Sequence, residues 1–433
     1  MKVSIKTYGC TLNQADSTLM GNVLADAGYE VVYTGRLDGL AGAASSEGIV
    51  LVNTCAVKKP TEQRILYELQ KLSNAGAKVV ATGCLASADP DLIRKYAPNV
   101  SIVTTPNIAM LPKALQLVSS GKKVVFDTYA RNDRLEFFKP EGGIIAKIPL
   151  SDGCLSNCSF CETKFARGPL NSFSEEHILE AIKISIAEGA KEIELTAQDI
   201  GAYGADRKTN IIELLEKIRQ IDGDFKVRVG MLNPQFLNKY IDGLAVLLND
   251  RHFYRFVHIP VQSGSNSVLK AMRRLYSIEE VNSHIKGLRA SVPSITIETD
   301  IIVGFPSETR EDFDKTLSFV KEVKPEVVNI SKFGAMPHAD ASRMKQLDRG
   351  TINSRSIELS RLVRALQAEA NNRFIGSTLD ILITEANERS FCGRAQNYKQ
   401  VIVGGNEKVE VGNIYSVAVE KATANALYGR VLQ

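Results

Sequence analysis

Three cysteines within eight residues constrain this chain more than any other feature of its sequence. Cys154, Cys158 and Cys161 follow a CxxxCxxC spacing, which lets one short loop bring three thiolates to one face of a small iron–sulfur cube. No further cysteine follows until Cys392, so one iron of such a cube would lack a protein ligand and be open to reaction. The alternatives are three unrelated buried cysteines or a zinc site, although zinc loops usually combine CxxC pairs with a fourth ligand downstream.

The same spacing resembles the cluster loop of the radical S-adenosylmethionine enzymes. In that superfamily the amino and carboxylate groups of S-adenosylmethionine chelate the open iron. An electron from the cluster then cleaves the sulfonium and gives a 5′-deoxyadenosyl radical. The resemblance implies that the radical chemistry belongs to the cofactor, while the protein orients it and excludes water.

Length and composition indicate a globular protein of several domains. The chain has 433 residues, of which 44% are hydrophobic and 24% charged, and this length allows about two to four domains. The net charge of +4 permits an RNA partner without arguing for one. No apolar run approaches the length of a membrane span, and Met1–Ile5 has the pattern of a strand rather than of a signal peptide. We therefore expect a cytoplasmic protein without a membrane partner, whose thiols stay reduced.

Residues 1–126 alternate strand and helix patterns, which predicts an open parallel α/β domain. The predicted elements are strands at Lys2–Thr7, Ile49–Val52 and Lys78–Ala81, helices at Asn13–Ala27 and Glu62–Leu72, and a flexible loop at Gly39–Gly48.

Three further cysteines, Cys10, Cys55 and Cys84, each stand just past the end of a predicted strand. Because the carboxyl ends of parallel strands meet at one edge of a sheet, these thiols could share one metal centre. The alternative is that they are ordinary buried core cysteines, which are common.

Residues 144–350 resume the alternation at wider spacing, after a charged and aromatic stretch at 127–143 that we interpret as a domain linker. The strand Ile144–Leu150 leads directly into the CxxxCxxC loop. About six βα units follow from this pattern, which predicts a partial (βα)6 barrel. The later strands are predicted at Glu192–Thr196, Lys226–Gly230, Phe256–Val261, Ile295–Val303 and Val327–Ser331. The helices are predicted at Glu175–Glu188, Ile211–Ile221, Asn233–Asn249, Ser265–Arg289 (with a break) and Thr309–Val323.

Polar residues fall at the ends of these strands, where barrels of this kind place reactive groups. Each one alone is more often a cap or a satisfied core group, but several facing one cavity would form a site. They are Thr196, Gln198, Asp199, Arg228, His258, Gln262, Ser263 and Asp300. Lys270, Arg273 and Arg274 form a basic patch near this rim, which we interpret as a solvated helix face, with phosphate contact as the alternative.

The last part of the chain changes from helical to alternating patterns. A connecting helix is predicted within 351–375, and residues 376–433 predict a small antiparallel β-barrel. Its strands are predicted at Leu379–Thr384, Phe391–Ala395, Gln400–Val403, Glu410–Ile414 and Ala426–Val431. Its candidate RNA-binding residues are Arg389, Arg394, Asn397, Tyr398 and Lys399, because an aromatic ring beside cations can stack a base and hold a phosphate. Seven basic residues against six acidic ones from Asn371 to Gln433 keep an interaction module that is not specific for RNA as the alternative.

Taken in order, these parts resemble the radical S-adenosylmethionine methylthiotransferases over essentially the whole chain. That family combines an N-terminal three-cysteine domain, a radical S-adenosylmethionine barrel and a C-terminal TRAM domain. The matching stretches are Thr7–Asp16, Asn53–Cys55, Gly83-Cys84, Gly153–Gly168, His258–Ser265, Asp300–Pro306, Gly393-Arg394 and Asn397-Tyr398.

The family resemblance implies two 4Fe–4S clusters, the second on Cys10, Cys55 and Cys84, and S-adenosylmethionine as both methyl donor and radical source. It also implies that Phe160 packs against the cofactor adenine, unless it only anchors the loop, and that Thr196 and Gln198 contact the methionine part. The implied partners are a tRNA substrate, an electron donor protein and a sulfur donor, and we expect a monomer.

The branch of the family is indicated by Leu195–Asp199 and the Thr7–Asp16 opening. Both look most like the archaeal and eukaryotic enzymes that modify N6-threonylcarbamoyladenosine beside the tRNA anticodon. The alternatives are the isopentenyladenosine branch, the branch that modifies a ribosomal-protein aspartate, and a non-catalytic metal-containing RNA-binding protein. Ala335–Ala341 departs from the family's Arg-Pro-Gly-Thr, which puts any substrate contact from that loop in doubt.

Overall fold

Six parallel strands form the sheet of the N-terminal region, in the order β2-β1-β3-β4-β5-β6. The computed structural model describes residues 1–35, 48–128, 131–405 and 408–432, so the predicted loop at 39–48 lies outside them except for Gly48. The strands are β1 (Lys2–Thr7), β2 (Glu30–Tyr33), β3 (Gly48–Thr54), β4 (Val79–Thr82), β5 (Ser101–Val103) and β6 (Val125–Phe126). The helices around them are α1 (Thr11–Asp26), α2 (Lys59–Asn74), α3 (Gly83–Ala88), α4 (Pro90–Tyr96) and α5 (Leu111–Ser119). The predicted open parallel α/β domain is confirmed, whereas β2, β5 and β6 were not predicted because they are too short to show a pattern.

The order of this sheet decides where its cysteines lie. β1, β3 and β4 are neighbours, so the loops that follow them open at adjacent points of one edge. β3 reads as a continuous apolar run because helices cover both faces of a parallel sheet, and its residues from 49 to 54 are all buried.

The central region is an open partial barrel of six parallel strands. Its two three-stranded sheets, β11-β10-β7 and β12-β13-β14, are linked by a parallel bridge between Met231 and His258. The strands are β7 (Ile145–Pro149), β10 (Glu192–Thr196), β11 (Lys226–Arg228), β12 (Phe256–His258), β13 (Thr296–Val303) and β14 (Val327–Lys332), and a short antiparallel pair, β8 (Ser151–Asp152) and β9 (Asn171–Ser172), flanks the cluster loop. The helices are α6 (Thr163–Arg167), α7 (Glu175–Ala187), α8 (Ile211–Arg219), α9 (Leu237–Leu248), α10 (Asn266–Ala271), α11 (Ile278–Ser291) and α12 (Arg310–Val323). The predicted partial (βα)6 barrel is confirmed.

Among its described residues, the segment predicted as a domain linker is anchored at Arg134. It contains a 3-10 turn at Arg134–Phe137, and the Arg134 side chain is only 1% exposed. A charged group buried to that extent needs ionic partners, which come from the domains on both sides. Similar 3-10 turns occur at Thr105–Met110, Ile200–Ala202, Pro234–Phe236 and Asp340–Arg343.

The C-terminal part is a closed five-stranded barrel that follows the long helix α13 (Arg349–Asn372). Its strands are β15 (Thr378–Asn387), β16 (Ser390–Ala395), β17 (Gln400–Gly404), β18 (Ile414–Ala422) and β19 (Leu427–Val431). Four pairings are antiparallel and β17 pairs with β19 in parallel. The strand predicted at Glu410–Ile414 is wrong, because Gly412 adopts a positive φ of 95° in a turn and the strand begins only at Ile414.

No helix among the described residues is both long and apolar enough to cross a membrane.

Candidate active site

One cavity of about 530 Å³ lies where the loops after the N-terminal strands face the loops after the barrel strands. Its lining includes five of the six predicted ligand cysteines, namely Cys10, Cys84, Cys154, Cys158 and Cys161. Cys55 lies directly behind: a Cβ placed on Gly9 would meet its Sγ at 3.1 Å. The tertiary structure therefore brings both groups of three thiols to a single chamber.

The N-terminal trio of thiols, Cys10, Cys55 and Cys84, depends on a close approach between two backbone segments. Gly83 has a φ of 84°, and a Cβ there would lie 2.2 Å from Asn53 Oδ1 and 2.5 Å from the Thr54 carbonyl oxygen. Only glycine fits such a position, so Gly83 allows the turn that delivers Cys84. Cys10 is the N-cap residue of α1, so its thiol stands beside the backbone N–H groups that begin this helix.

Burial decides what these thiols can do. It raises the pKa of Cys55 to about 12, with the neighbouring Cys84 adding to the effect, and it raises the pKa of Cys84 as well. In the second trio, burial followed by the charge of Asp199 raises the pKa of Cys154 to about 11. Such thiols are poor nucleophiles on their own, whereas a bound metal deprotonates a coordinating thiol outright. The donor set therefore suits metal ligation better than thiol catalysis.

The CxxxCxxC loop is held by hydrogen bonds to both sides of the barrel. Ser159 donates through its backbone N–H to the Met272 carbonyl at 3.1 Å and through its hydroxyl to the Ala271 carbonyl at 2.8 Å. On the other side, Ser156 Oγ accepts from Asn233 Nδ2 and Gln235 Nε2, both at 3.1 Å. These anchors fix the loop before any ligand arrives.

Arg274 corrects one prediction from the sequence. Instead of lying on a solvated face, its guanidinium donates to Cys158 Sγ at 3.4 Å, to the Pro260 carbonyl at 2.8 Å and to Tyr276 Oη at 2.7 Å. Arg273 does face solvent and pairs with Asp340 at 2.7 Å. No sequence pattern distinguishes the two arginines, because Arg274 and Cys158 are 116 residues apart.

Arg167 is a second residue that the sequence did not identify. Its side chain is fully buried, and its Nε lies 3.3 Å from Cys84 Sγ. The same guanidinium pairs with Asp16 and Asp152. Because Arg167 ends α6, which begins two residues after Cys161, one short helix runs from the second trio to the first.

Among the described residues, no group of three or more His, Cys, Asp or Glu side chains is arranged to hold a single metal ion. The thiolates of a 4Fe–4S cube bind different irons, so its sulfurs lie farther apart than the ligands of one ion.

Three family descriptions match the chain. They are Uncharacterized protein family UPF0004 over residues 2–105, the Radical SAM superfamily over 148–320 and the TRAM domain over 372–432. A probable threonylcarbamoyladenosine tRNA methylthiotransferase of Pyrococcus abyssi is 37% identical over 100% of both chains. The threonylcarbamoyladenosine tRNA methylthiotransferase of Homo sapiens is 32% identical over 94% of this chain and 70% of the human protein. The chain belongs to the threonylcarbamoyladenosine tRNA methylthiotransferase family.

A similar fold occurs among solved structures. The radical S-adenosylmethionine methyltransferase TsrM of Kitasatospora setae, solved with cobalamin and a [4Fe-4S] cluster bound, superposes with a TM-score of 0.60. Its sequence is 15% identical over 79% of this chain and 73% of that one, so the likeness concerns the fold alone.

The three residues predicted to bind S-adenosylmethionine in this methylthiotransferase all line the cavity. They are Phe160, Thr196 and Gln198, and Phe160 also packs against an apolar cluster that includes Val268 and Phe305. Gln198 Oε1 is buried without a hydrogen-bond partner in the described structure. An unsatisfied buried acceptor is costly, and the ammonium or hydroxyl groups of S-adenosylmethionine would satisfy it. The residues present therefore fit this cofactor.

Asp199 carries a second orphaned acceptor, Oδ2. Its Oδ1 accepts backbone N–H groups of Gly201 and Asn233, both at 3.1 Å. Burial nevertheless raises the pKa of Asp199 to about 6. Above that pH the side chain is ionised in a buried position, which costs folding free energy.

Replacing Asp199 by asparagine is therefore expected to stabilise this protein when S-adenosylmethionine is absent. At pH 8 the free energy of unfolding of the reconstituted protein, without S-adenosylmethionine, should rise by about 1–3 kcal/mol. Because the raised pKa makes the wild type lose stability as pH rises from about 4 to about 6, the difference should shrink at pH 5, where Asp199 is mostly protonated. Urea denaturation at both pH values measures it, and an equal difference at pH 5 and 8 would contradict this account.

Three of the five predicted RNA-binding residues, Arg394, Tyr398 and Lys399, lie near the junction between the C-terminal barrel and the base of the central one. The Tyr398 hydroxyl lies within hydrogen-bonding distance of Glu192 Oε1 and Glu194 Oε1, at 3.2 and 3.0 Å, and Arg394 stacks on the Tyr398 ring with its Cζ 4.7 Å from the centroid. Lys399 is partly buried, with its Nζ 5.8 Å from the Phe374 ring, and burial lowers its pKa. RNA binding by Arg394, Tyr398 and Lys399 stays a prediction that requires this junction to open.

Proposed function

We propose that this protein inserts a methylthio group at C2 of N6-threonylcarbamoyladenosine beside the tRNA anticodon. The observation that carries the proposal is the single cavity lined by thiols of both groups, with Cys55 directly behind its wall. Transfer of a methylthio group to a carbon radical requires the sulfur-bearing centre and the radical source to meet the same substrate atom. Two separate pockets would not allow that, and one chamber does.

In this proposal the chain holds two 4Fe–4S clusters, one on Cys10, Cys55 and Cys84 and one on Cys154, Cys158 and Cys161. When bound, the second cluster and S-adenosylmethionine supply the radical that removes hydrogen from an unactivated aromatic carbon. The protein's part is to orient and to exclude water. Phe160, Thr196 and Gln198 position the cofactor from the cavity wall.

The chain also provides hydrogen-bond donors to the cysteine sulfurs. Arg274 donates to Cys158, Arg167 donates to Cys84, and the Thr163 backbone N–H donates to Cys161 Sγ at 3.3 Å. Hydrogen bonds to the sulfurs tune the potential of an iron–sulfur cluster. The partners expected besides tRNA are an electron donor protein and a sulfur donor.

An aromatic pair at the mouth of the cavity suits an unpaired base of the anticodon loop. Phe165 is 55% exposed and its ring centroid lies 5.4 Å from that of His338. The His338 backbone N–H donates to Glu162 Oε1 at 2.9 Å, which holds the divergent loop 335–341 against the cluster loop. In this proposal the loop contributes His338 as one wall of a stacking site.

Replacement of Phe165 by leucine should weaken tRNA binding by roughly 5- to 50-fold, because it removes one stacking face. Filter binding at fixed salt measures the dissociation constant, and formation of 5′-deoxyadenosine without tRNA should not change. The matched control is Tyr67→Leu, an aromatic that is 66% exposed on α2 and lies outside the cavity lining. Equal effects of the two substitutions would refute the stacking site.

The proposed function is tested by mass spectrometry of tRNA nucleosides from a deletion strain. Loss of the methylthio mark from threonylcarbamoyladenosine, restored by the wild-type gene, is expected. Loss of the methylthio group from isopentenyladenosine would instead favour the isopentenyladenosine branch. A mass change in a ribosomal protein with unchanged tRNA would favour the branch that modifies a ribosomal-protein aspartate. A purified protein that never cleaves S-adenosylmethionine would favour a non-catalytic RNA-binding role.

A further inference from the structure

Arg228 is a partly buried cation for which the described structure provides no hydrogen bond. It ends β11, lines the cavity, and its side chain is 15% exposed. Its one ionic neighbour is Glu298, whose Oε2 lies 4.0 Å from Nη2, beyond hydrogen-bonding distance. A guanidinium carries five N–H donors, and those of Arg228 are available to a ligand in the cavity that this residue lines.

Two aromatic rings hold this guanidinium in place. Its Cζ lies 5.0 Å from the centroid of Phe256 and 5.5 Å from that of Tyr398, which reaches in from the C-terminal barrel. Stacking of this kind covers the planar faces of the guanidinium and leaves the N–H donors at its edge free. Arg228 is thus fixed in position with its hydrogen-bonding capacity unused.

The other cations of the cavity lining are already engaged or lie at its mouth. Arg274 donates to a thiol, a carbonyl and a hydroxyl. His258 Nε2 lies 3.1 Å from Asp300 Oδ2. Lys164 is exposed to solvent, and His338 lies beside Phe165 and Asp89. Among the described lining residues, Arg228 is therefore the arginine whose donors are not used in hydrogen bonds.

Glu298 forms only a long ion pair with Arg228, and its carboxylate is anchored through the other oxygen. Its Oε1 accepts a hydrogen bond from Asn329 Nδ2 at 2.7 Å, which turns that oxygen toward β14. The geometry around Arg228 instead suits a planar, two-oxygen acceptor entering from the cavity.

We propose that Arg228 binds the carboxylate of a ligand in this cavity. On the proposed function, on which this inference rests, two ligands carry such a group: the threonylcarbamoyl side chain of the target nucleoside and the methionine part of S-adenosylmethionine. Arginine meets either carboxylate with two parallel N–H···O bonds, which lysine cannot reproduce.

The test uses the reconstituted full-length protein with Arg228→Gln and Arg228→Lys. The matched control is Arg361→Gln, an exposed arginine on α13 outside the cavity lining. Dissociation constants are measured for S-adenosylmethionine alone, for tRNA carrying threonylcarbamoyladenosine, and for the same tRNA with unmodified adenosine. Iron content and unfolding midpoint must match the wild type, and the lysine variant keeps the charge should the glutamine variant fail to fold.

Loss of a charge-assisted pair should raise one dissociation constant by roughly 10- to 100-fold. If the substrate carboxylate is the ligand, the variants lose their preference for modified over unmodified tRNA and bind S-adenosylmethionine as the wild type does. If the cofactor carboxylate is the ligand, affinity for S-adenosylmethionine falls and the tRNA preference stays.

Unchanged constants in all three measurements, within about twofold, would overturn the role of Arg228. A wild type that shows no preference for modified tRNA would instead count against the proposed substrate, and the measurement with S-adenosylmethionine alone would still decide whether Arg228 binds a carboxylate.

Discussion

Replacement of Cys158 by alanine should abolish formation of 5′-deoxyadenosine under strong reductant, a loss of at least about 100-fold. The expected loss exceeds the 10- to 100-fold effect of removing an outer partner of a metal ligand, because a ligand itself is removed. Iron content should fall from about eight to about four per chain, since only one of two cubes would remain.

The matched control is Cys392→Ala, which removes the seventh cysteine. Cys392 is buried in the C-terminal barrel, where Gln400 Nε2 donates to its sulfur at 2.9 Å. Its loss should leave iron content and radical formation unchanged. A Cys158→Ala protein that still makes 5′-deoxyadenosine at the wild-type rate would disprove the role of this trio.

A change in the N-terminal trio should give a different phenotype. Cys84→Ala should also lower the iron content by about four, yet retain 5′-deoxyadenosine formation while losing methylthio transfer. Finding the same phenotype for Cys84→Ala and Cys158→Ala would mean that the two trios do not have the separate roles proposed.

Replacing Asp16 by alanine should lower the free energy of unfolding by about 3–5 kcal/mol. Asp16 is fully buried between Arg134 and Arg167, and both arginines also pair with Asp152. Removing one carboxylate leaves the two guanidinium groups buried with a single counter-ion. Because Asp16 belongs to the N-terminal domain and Asp152 to the central one, the loss should also loosen the junction that holds the two trios together.

Chemical denaturation measures this effect, with Asp26→Ala as the control. Asp26 pairs with Lys139 at the surface, with both side chains more than half exposed, and its removal should cost at most about 1 kcal/mol. Burial would raise the pKa of Asp16, but the two arginines hold it below its ordinary value of 3.8. The stability from Asp16 is therefore present above about pH 4 and lost as the pH falls through the lower folded pKa. Equal destabilisation by the two substitutions at neutral pH would contradict the buried network.

Local patterns in the sequence were sufficient for the architecture. The spacing of Cys154, Cys158 and Cys161 lies within one loop, and Cys10, Cys55 and Cys84 each follow a strand directly. Strand and helix periodicity depends on neighbours a few residues apart, so the order of the three domains could be predicted. The misplaced strand at Glu410–Ile414 shows the limit, because a single glycine turn shifted its start.

Only the tertiary structure decided which groups meet. Arg167 and Asn13 are 154 residues apart, Arg274 and Cys158 are 116 apart, and Tyr398 and Glu194 are 204 apart. No periodicity links residues at such separations, because their contact depends on how whole domains pack. The sequence by itself thus determined that the chain has two groups of three thiols on two parallel α/β frameworks. That these groups open on one chamber, in which Arg228 has no hydrogen-bond partner among the described residues, follows from packing between elements far apart in the chain.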